Sequence, residues 1–304
     1  MRIRIISFVF SFVLIGSLSG QELINISNTL YLHNPAVTGM KADVNFTGQY
    51  FGLSRINNLS FNNSRFFLDG RVPSIKDTSQ LNLAIGFAYE RDKIGALTEN
   101  NWSFSLANHF QFRSNAKISV GISATQIRRF YDNLGFVFPN GGPIDPVFFT
   151  NPKISNRYSA GGIYESSDKT FIWGLAGSYA TANQSGLYRL NASIGKAIEF
   201  GKNFAVSINT FNEFVFVNKT WLLEVPVKIH FKKSLFVGST FAFDQYLGII
   251  AGGRIKHDKM GVFEIGGGYF ALLSPLTNRP GYGVNMYLNY YFTNPDKKEA
   301  FSYF

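Results

Sequence analysis

Apolar and polar residues alternate along most of this chain. In NWSFSLANHFQFR, residues 101–113, the large apolar side chains share one parity, and mostly polar or small side chains share the other. The stretch GYGVNMYLNYYF, residues 281–292, alternates in the same way. Successive residues of a strand point to opposite faces. Each such stretch therefore predicts a strand with one apolar face and one polar or small-residue face.

About fourteen stretches of this kind occur, each close to the 9–11 residues that a tilted membrane strand requires. They begin near residues 42, 60, 80, 100, 116, 156, 169, 186, 202, 219, 234, 245, 259 and 282. The pattern alone fits a soluble antiparallel sheet with one buried face, and it also fits an outer-membrane barrel whose apolar residues point outward.

The connections favour the barrel. One alternating set is short and polar: RSNAK, ESSDK, EFGKN, FKKS and HDK. The other set holds longer segments, at residues 91–100, 131–155 and 271–281. Outer-membrane barrels have short periplasmic turns and longer external loops. We therefore predict an all-β protein, a transmembrane antiparallel β-barrel of about 14 strands in the outer membrane.

The first twenty residues have the order of a secretory signal peptide, with two arginines, an apolar run and a small-residue exit. We predict a signal peptide at 1–20 and a single barrel domain at 21–304. Within that domain, we expect a periplasmic segment at 21–41, the barrel at 42–293 and a tail at 294–304. The chain is 16% aromatic and only 16% charged, against about 25% charged in soluble domains.

The sequence lacks the patterns of a catalytic or metal site. Its four histidines are scattered, no serine lies in a G-x-S-x-G elbow, and cysteine is absent. We predict no enzyme activity, no cofactor and no metal. The formal charge of +10 does not indicate nucleic acid, because no helix rich in lysine and arginine accompanies it. Arg113, Arg189 and Glu264 are predicted to face inward, as a balanced charge network or as groups that tune a pore or bind a plug.

Glycines are also predicted on inward positions, notably in EIGGGYF at residues 264–270. This stretch lacks the Lys-Ser/Thr and the strand-to-helix context of a phosphate loop. Inward glycines instead allow neighbouring side chains or a plug to approach closely.

Three ordered motifs resemble the PorP/SprF family, outer-membrane proteins of the type IX secretion and gliding machinery of Bacteroidetes. The first is the corner in LYLHNPAVTG, the second a D-K-I-G segment, and the third a D-P-x-F segment. The matching residues are Asn34, Pro35, Ala36 and Gly39, then Asp92, Lys93, Ile94 and Gly95, then Asp145, Pro146 and Phe148. One departure is the first strand, where this chain has Gln49 and Tyr50 but lacks the tryptophan that the family often carries.

The resemblance implies a non-enzymatic role in exporting a cognate secreted protein or attaching it to the cell surface. It implies the periplasmic ring lipoprotein complex and a secreted adhesin or enzyme with a C-terminal sorting domain as partners, with outer-membrane lipid around the barrel. We expect the corner to orient the N-terminal segment at the periplasmic rim, and the long loops to contact the exported protein. The sequence leaves open whether residues 21–41 plug the lumen or run along the rim. Lysines in the short turns favour an acidic ring partner or are simply solvated: Lys117, Lys169, Lys202, Lys232, Lys233 and Lys259. A general porin or a transporter of small apolar solutes remains the alternative function.

Overall fold

A closed barrel of fourteen strands forms the body of the protein. The computed structural model describes residues 30–56, 59–72, 82–94, 97–131, 153–181, 187–217, 219–243, 245–257, 261–273 and 281–292. The strands are β1 (Val44–Ile56), β2 (Leu59–Arg71), β3 (Asn82–Ile94), β4 (Leu97–Gln111), β5 (Lys117–Tyr131), β6 (Lys153–Glu165), β7 (Phe171–Ala180), β8 (Leu187–Phe200), β9 (Phe204–Val215), β10 (Thr220–Phe231), β11 (Leu235–Ala242), β12 (Tyr246–His257), β13 (Gly261–Leu272) and β14 (Tyr282–Phe292).

Each strand pairs antiparallel with its neighbours in sequence, and β1 pairs with β14 to close the barrel, with Val44 opposite Phe292. We call the end at which β1 begins and β14 ends the base, and the opposite end the top. Closure leaves no unpaired strand edge, which is the condition for a sheet to cross a lipid bilayer. The predicted fold class is therefore confirmed.

The two parities of the strands face two environments. Phe104 exposes 65% of its surface, whereas the adjacent Ser105 exposes only 9%. The apolar parity therefore points outward, and the polar parity points into the lumen. In β2 both Arg65 and Asp69 share the inward parity with Phe67, and all three are buried. The lumen thus holds charged and aromatic side chains together, which explains why this strand has the least regular pattern.

The connections are sorted less strictly than predicted. The predicted external loop at 91–100 is wrong, because β3 continues to Ile94 and β4 begins at Leu97. Its charged residues were interpreted as a loop signal, but inward positions of a polar lumen accept charge. The short turns at 112–116, 166–170, 201–203 and 232–234 all lie at the base, as predicted. The top nevertheless has short connections too, such as 216–219.

An N-terminal segment precedes β1 and lies inside the barrel. It contains a short helix, α1 (Leu30–His33), and a 3-10 helix at Pro35–Val37. We call residues 30–43 the lumen segment. It contacts inward-facing residues of the wall, and Ala36 and Thr38 are completely buried. For residues 30–43 this position corresponds to the lumen alternative rather than to the rim. The sequence could not decide between the two, because alternation along strands carries no information on what fills the lumen.

No helix among the described residues is long and apolar enough to cross a membrane.

Several predicted features lie outside the described residues. These are the signal peptide at 1–20, the start of the 21–41 segment, the tail at 294–304, Gly95, Lys259 and the motif residues Asp145, Pro146 and Phe148.

Candidate functional site

The N-P-A-x-x-G corner is built from local backbone interactions. Asn34 caps the 3-10 helix, since its side-chain Oδ1 accepts a hydrogen bond of 3.1 Å from the backbone N–H of Ala36. Pro35 occupies the first helical position, where its missing N–H costs nothing. Gly39 ends the corner with a φ of 68°, a left-handed conformation that glycine adopts without strain.

Glycines in the wall provide the space for this corner. A Cβ atom at Gly121 of β5 would lie 2.5 Å from the carbonyl oxygen of Pro35. A Cβ atom at Gly161 of β6 would collide with Oδ1 of Asn34. Asn34 also donates from Nδ2 to the carbonyl oxygen of Gly162, at 3.0 Å. The backbone of the lumen segment can therefore approach β5 and β6 only because these wall positions lack side chains.

A hydrogen-bond chain joins the middle of the segment to β4 and β5. Thr38 donates from its hydroxyl to Oγ of Ser105, at 2.8 Å. His109 lies with Nε2 2.8 Å from the carbonyl oxygen of Thr38, and with Nδ1 2.6 Å from Oγ of Ser119. A carbonyl oxygen only accepts, so Nε2 carries the proton, and in a neutral ring Nδ1 accepts from the serine. The histidine therefore has a structural role, and both ring nitrogens are occupied.

Two charged residues of β2 hold the base-side end of the segment. Asp69 accepts a hydrogen bond from the backbone N–H of Gly39. Arg71 donates from Nε to the carbonyl oxygen of Gly39 at 2.8 Å, and from Nη2 to that of Met40 at 3.0 Å. Hydrogen bonds to charged groups contribute about 1.5–3 kcal/mol each. The turn after the corner is thus fastened by ionic groups from one strand.

The other end of the segment is held by β8 and β9. Nδ1 of His33 lies 3.2 Å from Oε2 of Glu213, and the other carboxylate oxygen lies 3.2 Å from Nη1 of Arg189. Phe211 packs edge-on against the ring of His33, with 5.1 Å between ring centroids. Asn191 donates to the carbonyl oxygen of His33 at 3.3 Å. The segment is therefore anchored from β2 to β9 across the lumen.

The second motif lies elsewhere in the barrel. Asp92 is near the top end of β3 and accepts a hydrogen bond from Nδ2 of Asn63. Beside it, Glu90 pairs with Arg65, with 2.5 Å between Oε1 and Nε. Asp92, Lys93 and Ile94 are the last residues of β3 rather than a loop. The structure therefore brings Asn34, Pro35, Ala36 and Gly39 together, and it places Asp92 in a separate charge cluster at the top.

The inward charges predicted from the sequence divide into two cases. Arg189 pairs with Glu213, and Glu264 accepts from Nε of Arg254 at 2.8 Å, so both belong to balanced pairs on the wall. Arg113 was predicted to face inward, but it is exposed in the turn after β4. Alternation no longer fixes the side-chain direction once the strand has ended at Gln111.

Sequence reasoning missed the residues that receive the corner. They are Asp69 and Arg71 of β2, Ser105 of β4, Gly121 of β5 and Gly161 of β6. Asp69 offered one signal, because a carboxylate interrupts a series of alternate positions that aromatic residues occupy in that strand. The glycines offered another, since they occupy inward positions.

An apolar cluster fills another part of the lumen, towards the top. It consists of Phe51, Phe211, Leu222, Ala242, Tyr246, Ile250 and Phe270, with Leu30 of the lumen segment packed against it. Within the described ranges, no three histidine or acidic side chains converge as metal ligands. The interior can therefore hold a polypeptide segment and apolar groups, through hydrogen bonds, ion pairs and burial.

The comparison with protein families decides the identity of this barrel. Residues 24–290 match the family described as type IX secretion system membrane protein PorP/SprF. The chain belongs to the PorP/SprF family. The predicted membership is confirmed, and the family and the barrel together indicate an outer-membrane protein of secretion rather than a known class of enzyme. No curated protein sequence matches the chain.

Solved structures resemble this PorP/SprF protein in fold alone. Omp33 of Acinetobacter baumannii aligns with a TM-score of 0.50 and 11% identity, over 84% of this chain and 100% of its own. The toluene transporter TodX of Pseudomonas putida aligns with a TM-score of 0.51 and 9% identity, over 87% and 93%. The toluene transporter TbuX of Ralstonia pickettii aligns with a TM-score of 0.50 and 10% identity, over 86% and 92%.

Proposed function

We propose that this protein is a non-enzymatic component of the type IX secretion and gliding machinery. In this role it exports a cognate secreted protein or attaches it to the cell surface, and it contacts the periplasmic ring lipoprotein complex. The observation that carries the proposal is the family corner fastened inside the lumen by wall residues from β2 to β9. A barrel that contains its own segment suits a protein-binding role better than free diffusion of solutes.

The proposal includes a leader that is cleaved on export and a partner with a C-terminal sorting domain. The absence of catalysis is inferred from how the polar lumen residues are used. His109 has both ring nitrogens occupied, and Glu264 and Glu213 are paired with arginines. These groups hold the structure together, so they are poorly placed to transfer protons to a substrate.

A pull-down from native outer membranes tests this function. The tagged full-length chain is extracted in mild detergent, and co-purified proteins are identified by mass spectrometry. We expect secretion-ring subunits together with one large exported protein. An unrelated barrel with the same tag, expressed at the same level, is the control. Recovery of the barrel without either class of partner, through repeated gentle extractions, would argue against the proposal.

A transporter of small apolar solutes, or a general porin, is the second candidate. The apolar cluster around Phe51, Tyr246 and Phe270 favours it, because such side chains could line a path for apolar molecules. The two toluene transporters share the barrel fold, which is compatible with this function without assigning a solute. Steady conductance in a planar bilayer separates it from the first proposal.

A further inference from the structure

A row of apolar side chains rings part of the base on the outer wall. Phe200 pairs with Phe204, Phe204 pairs with Phe231, and Phe231 pairs with Leu235, across four neighbouring strands. All four are exposed, and the rings of Phe204 and Phe231 lie 5.1 Å apart. Outward positions of a membrane barrel face lipid, and aromatic residues collect at the level of the headgroups. These four residues are the last or first of their strands, and so lie at that level.

Two lysines lie directly beyond this row. Lys202 is in the turn between β8 and β9, and Lys232 is in the turn between β10 and β11; both are exposed. Nζ of Lys232 lies 5.3 Å from the centroid of the Phe231 ring. The backbone N–H of Lys232 donates to the carbonyl oxygen of Asn203 at 2.7 Å, which ties the two turns together. We use the name base surface for Lys202 and Lys232 together with the adjacent apolar row, Phe200, Phe204, Phe231 and Leu235.

The charge of the base surface is positive. Glu199 is the carboxylate beside these turns, and it pairs with Lys233 at 3.2 Å between Oε1 and Nζ. That pair is neutral, so the charges of Lys202 and Lys232 remain. Lys196, exposed on the outward parity of β8, instead donates to Oγ1 of Thr170 at 3.0 Å, beside the carboxylate of Asp168, and is not part of this surface. A lysine near a membrane surface keeps its stem in the apolar region and extends its ammonium group to the headgroups.

The second turn has an unusual backbone conformation, which Lys169 and Lys219 share. Lys232 and Lys233 have φ values of 48° and 55°, in the left-handed region. Glycine or asparagine adopts that conformation at lower cost than lysine does. The chain therefore carries cationic side chains at two positions where the backbone alone favours a smaller residue.

We propose that the base surface binds an anionic phospholipid, with the phosphate between Lys202 and Lys232 and the acyl chains over the phenylalanine row. A diacyl phospholipid supplies a negative headgroup directly beside apolar chains, which matches the order of lysines and phenylalanines along the wall. An acidic protein would meet the lysines but would have to displace lipid from the phenylalanines. The site lies on the outer wall and does not depend on the secretion role.

Lipid retention on the full-length protein tests the site. The protein is exchanged into detergent with either phosphatidylglycerol or zwitterionic phosphatidylcholine, and bound lipid is counted by native mass spectrometry. We expect retention of phosphatidylglycerol to exceed that of phosphatidylcholine by about thirtyfold, because each lysine near a membrane surface contributes about 1 kcal/mol. The double variant Lys202→Gln/Lys232→Gln should lose the preference, and Lys202→Arg/Lys232→Arg should keep it.

The matched control is Lys219→Gln. Lys219 is also an exposed turn lysine with a left-handed φ, of 51°, but it lies at the top of the barrel. Equal retention of the two lipids, or equal loss of preference in this control, would overturn the proposal. The proposal would also be overturned if inorganic phosphate alone saturated the base surface, because the surface would then be a site for free anions. Displacement of the lipid by a hexaglutamate peptide at low concentration would instead assign the surface to an acidic protein partner.

Discussion

At the scale of single residues, inward-facing glycines of the wall leave the space in which the lumen segment packs. Inward glycines were expected to allow close approach, and two kinds of approach occur. In the EIGGGYF stretch, Gly266 accommodates the ring of Tyr287, because a Cβ there would lie 2.5 Å from the ring. On the opposite wall, Gly121 and Gly161 accommodate backbone and side-chain atoms of Pro35 and Asn34. The sequence identifies inward glycines, but it does not indicate which of them meets a wall side chain and which meets the segment.

The substitution Gly121→Ala tests this packing. Its Cβ would meet backbone atoms of Pro35 and Ala36, which cannot move without displacing the segment. We expect the unfolding free energy to fall by about 1–3 kcal/mol, the usual cost of overpacking. Urea titration of tryptophan fluorescence measures this change. Trypsin should also cleave after Lys41 faster than in the unchanged protein.

The matched control for this variant is Gly177→Ala. Gly177 lies on the outward parity of β7, where a Cβ would meet only a carbonyl oxygen at 3.9 Å. It should change stability by less than about 0.5 kcal/mol. If both variants change the unfolding free energy equally, the missing side chain at Gly121 is not what allows the lumen segment to pack there.

At the scale of elements, the strands could be predicted well and the lumen segment could not. The predicted starts of β5 at 116 and β14 at 282 compare with observed starts at Lys117 and Tyr282. Period-two alternation carries this information, because lipid and lumen impose opposite requirements on neighbouring residues. The segment has no such alternation, and its position depends on wall residues such as Asp69 and Arg71 that are distant in sequence.

A disulfide between the segment and β4 tests whether the segment stays in place during function. The hydroxyl oxygens of Thr38 and Ser105 are 2.8 Å apart, and the chain has no cysteine to compete. The variant Thr38→Cys/Ser105→Cys should form a bond in the oxidising periplasm. We expect surface retention of the cognate protein to be unchanged, because the segment is anchored by contacts from β2 to β9.

Each single-cysteine variant serves as a control for this experiment. If retention is lost only in the oxidised double variant and returns on reduction, the segment has to leave the lumen during secretion. The protein would then act as a conduit rather than as a resident anchor.

The connection between β5 and β6 is the longer of the two remaining candidate loops for contact with the exported protein, the other being the connection between β13 and β14. Arg129 pairs with Lys153, so a short turn can replace residues 132–152 without changing the strand register. We expect this variant to assemble normally and to lose surface retention of its partner, because loops on a rigid scaffold often carry binding. Flow cytometry of the exported protein on intact cells measures retention.

Replacing residues 182–186 by a glycine-serine stretch of equal length is the control for loop exchange. Those residues join β7 to β8 at the same end of the barrel. Unchanged retention after removal of 132–152 would exclude this loop as the contact, and would leave a structural role as the remaining prediction for Asp145, Pro146 and Phe148.

At the scale of the whole molecule, the barrel contains three distinct environments. The lumen segment is fastened along the β2–β9 wall, the apolar cluster fills the top beside β9–β13 and β1, and the outer wall meets lipid. The segment also packs against that cluster through Leu30. An open pore would instead be lined with water-exposed polar groups, as in the porins. The interior therefore favours a barrel that is closed to solutes at rest.

Single-channel recording in planar bilayers tests this closed state. We expect the unchanged protein to show little steady conductance, because the lumen segment contacts the wall from β2 to β9 and its residues 34–40 are buried. Deleting residues 22–41 should raise the conductance, while the Thr38→Cys/Ser105→Cys disulfide should keep it low. Heat-dependent migration on gels confirms that each variant is a folded barrel. If the unchanged protein conducts as steadily as the deletion variant, the lumen segment is no barrier, and the function shifts to a transport pore whose solute is then identified by blocking the current.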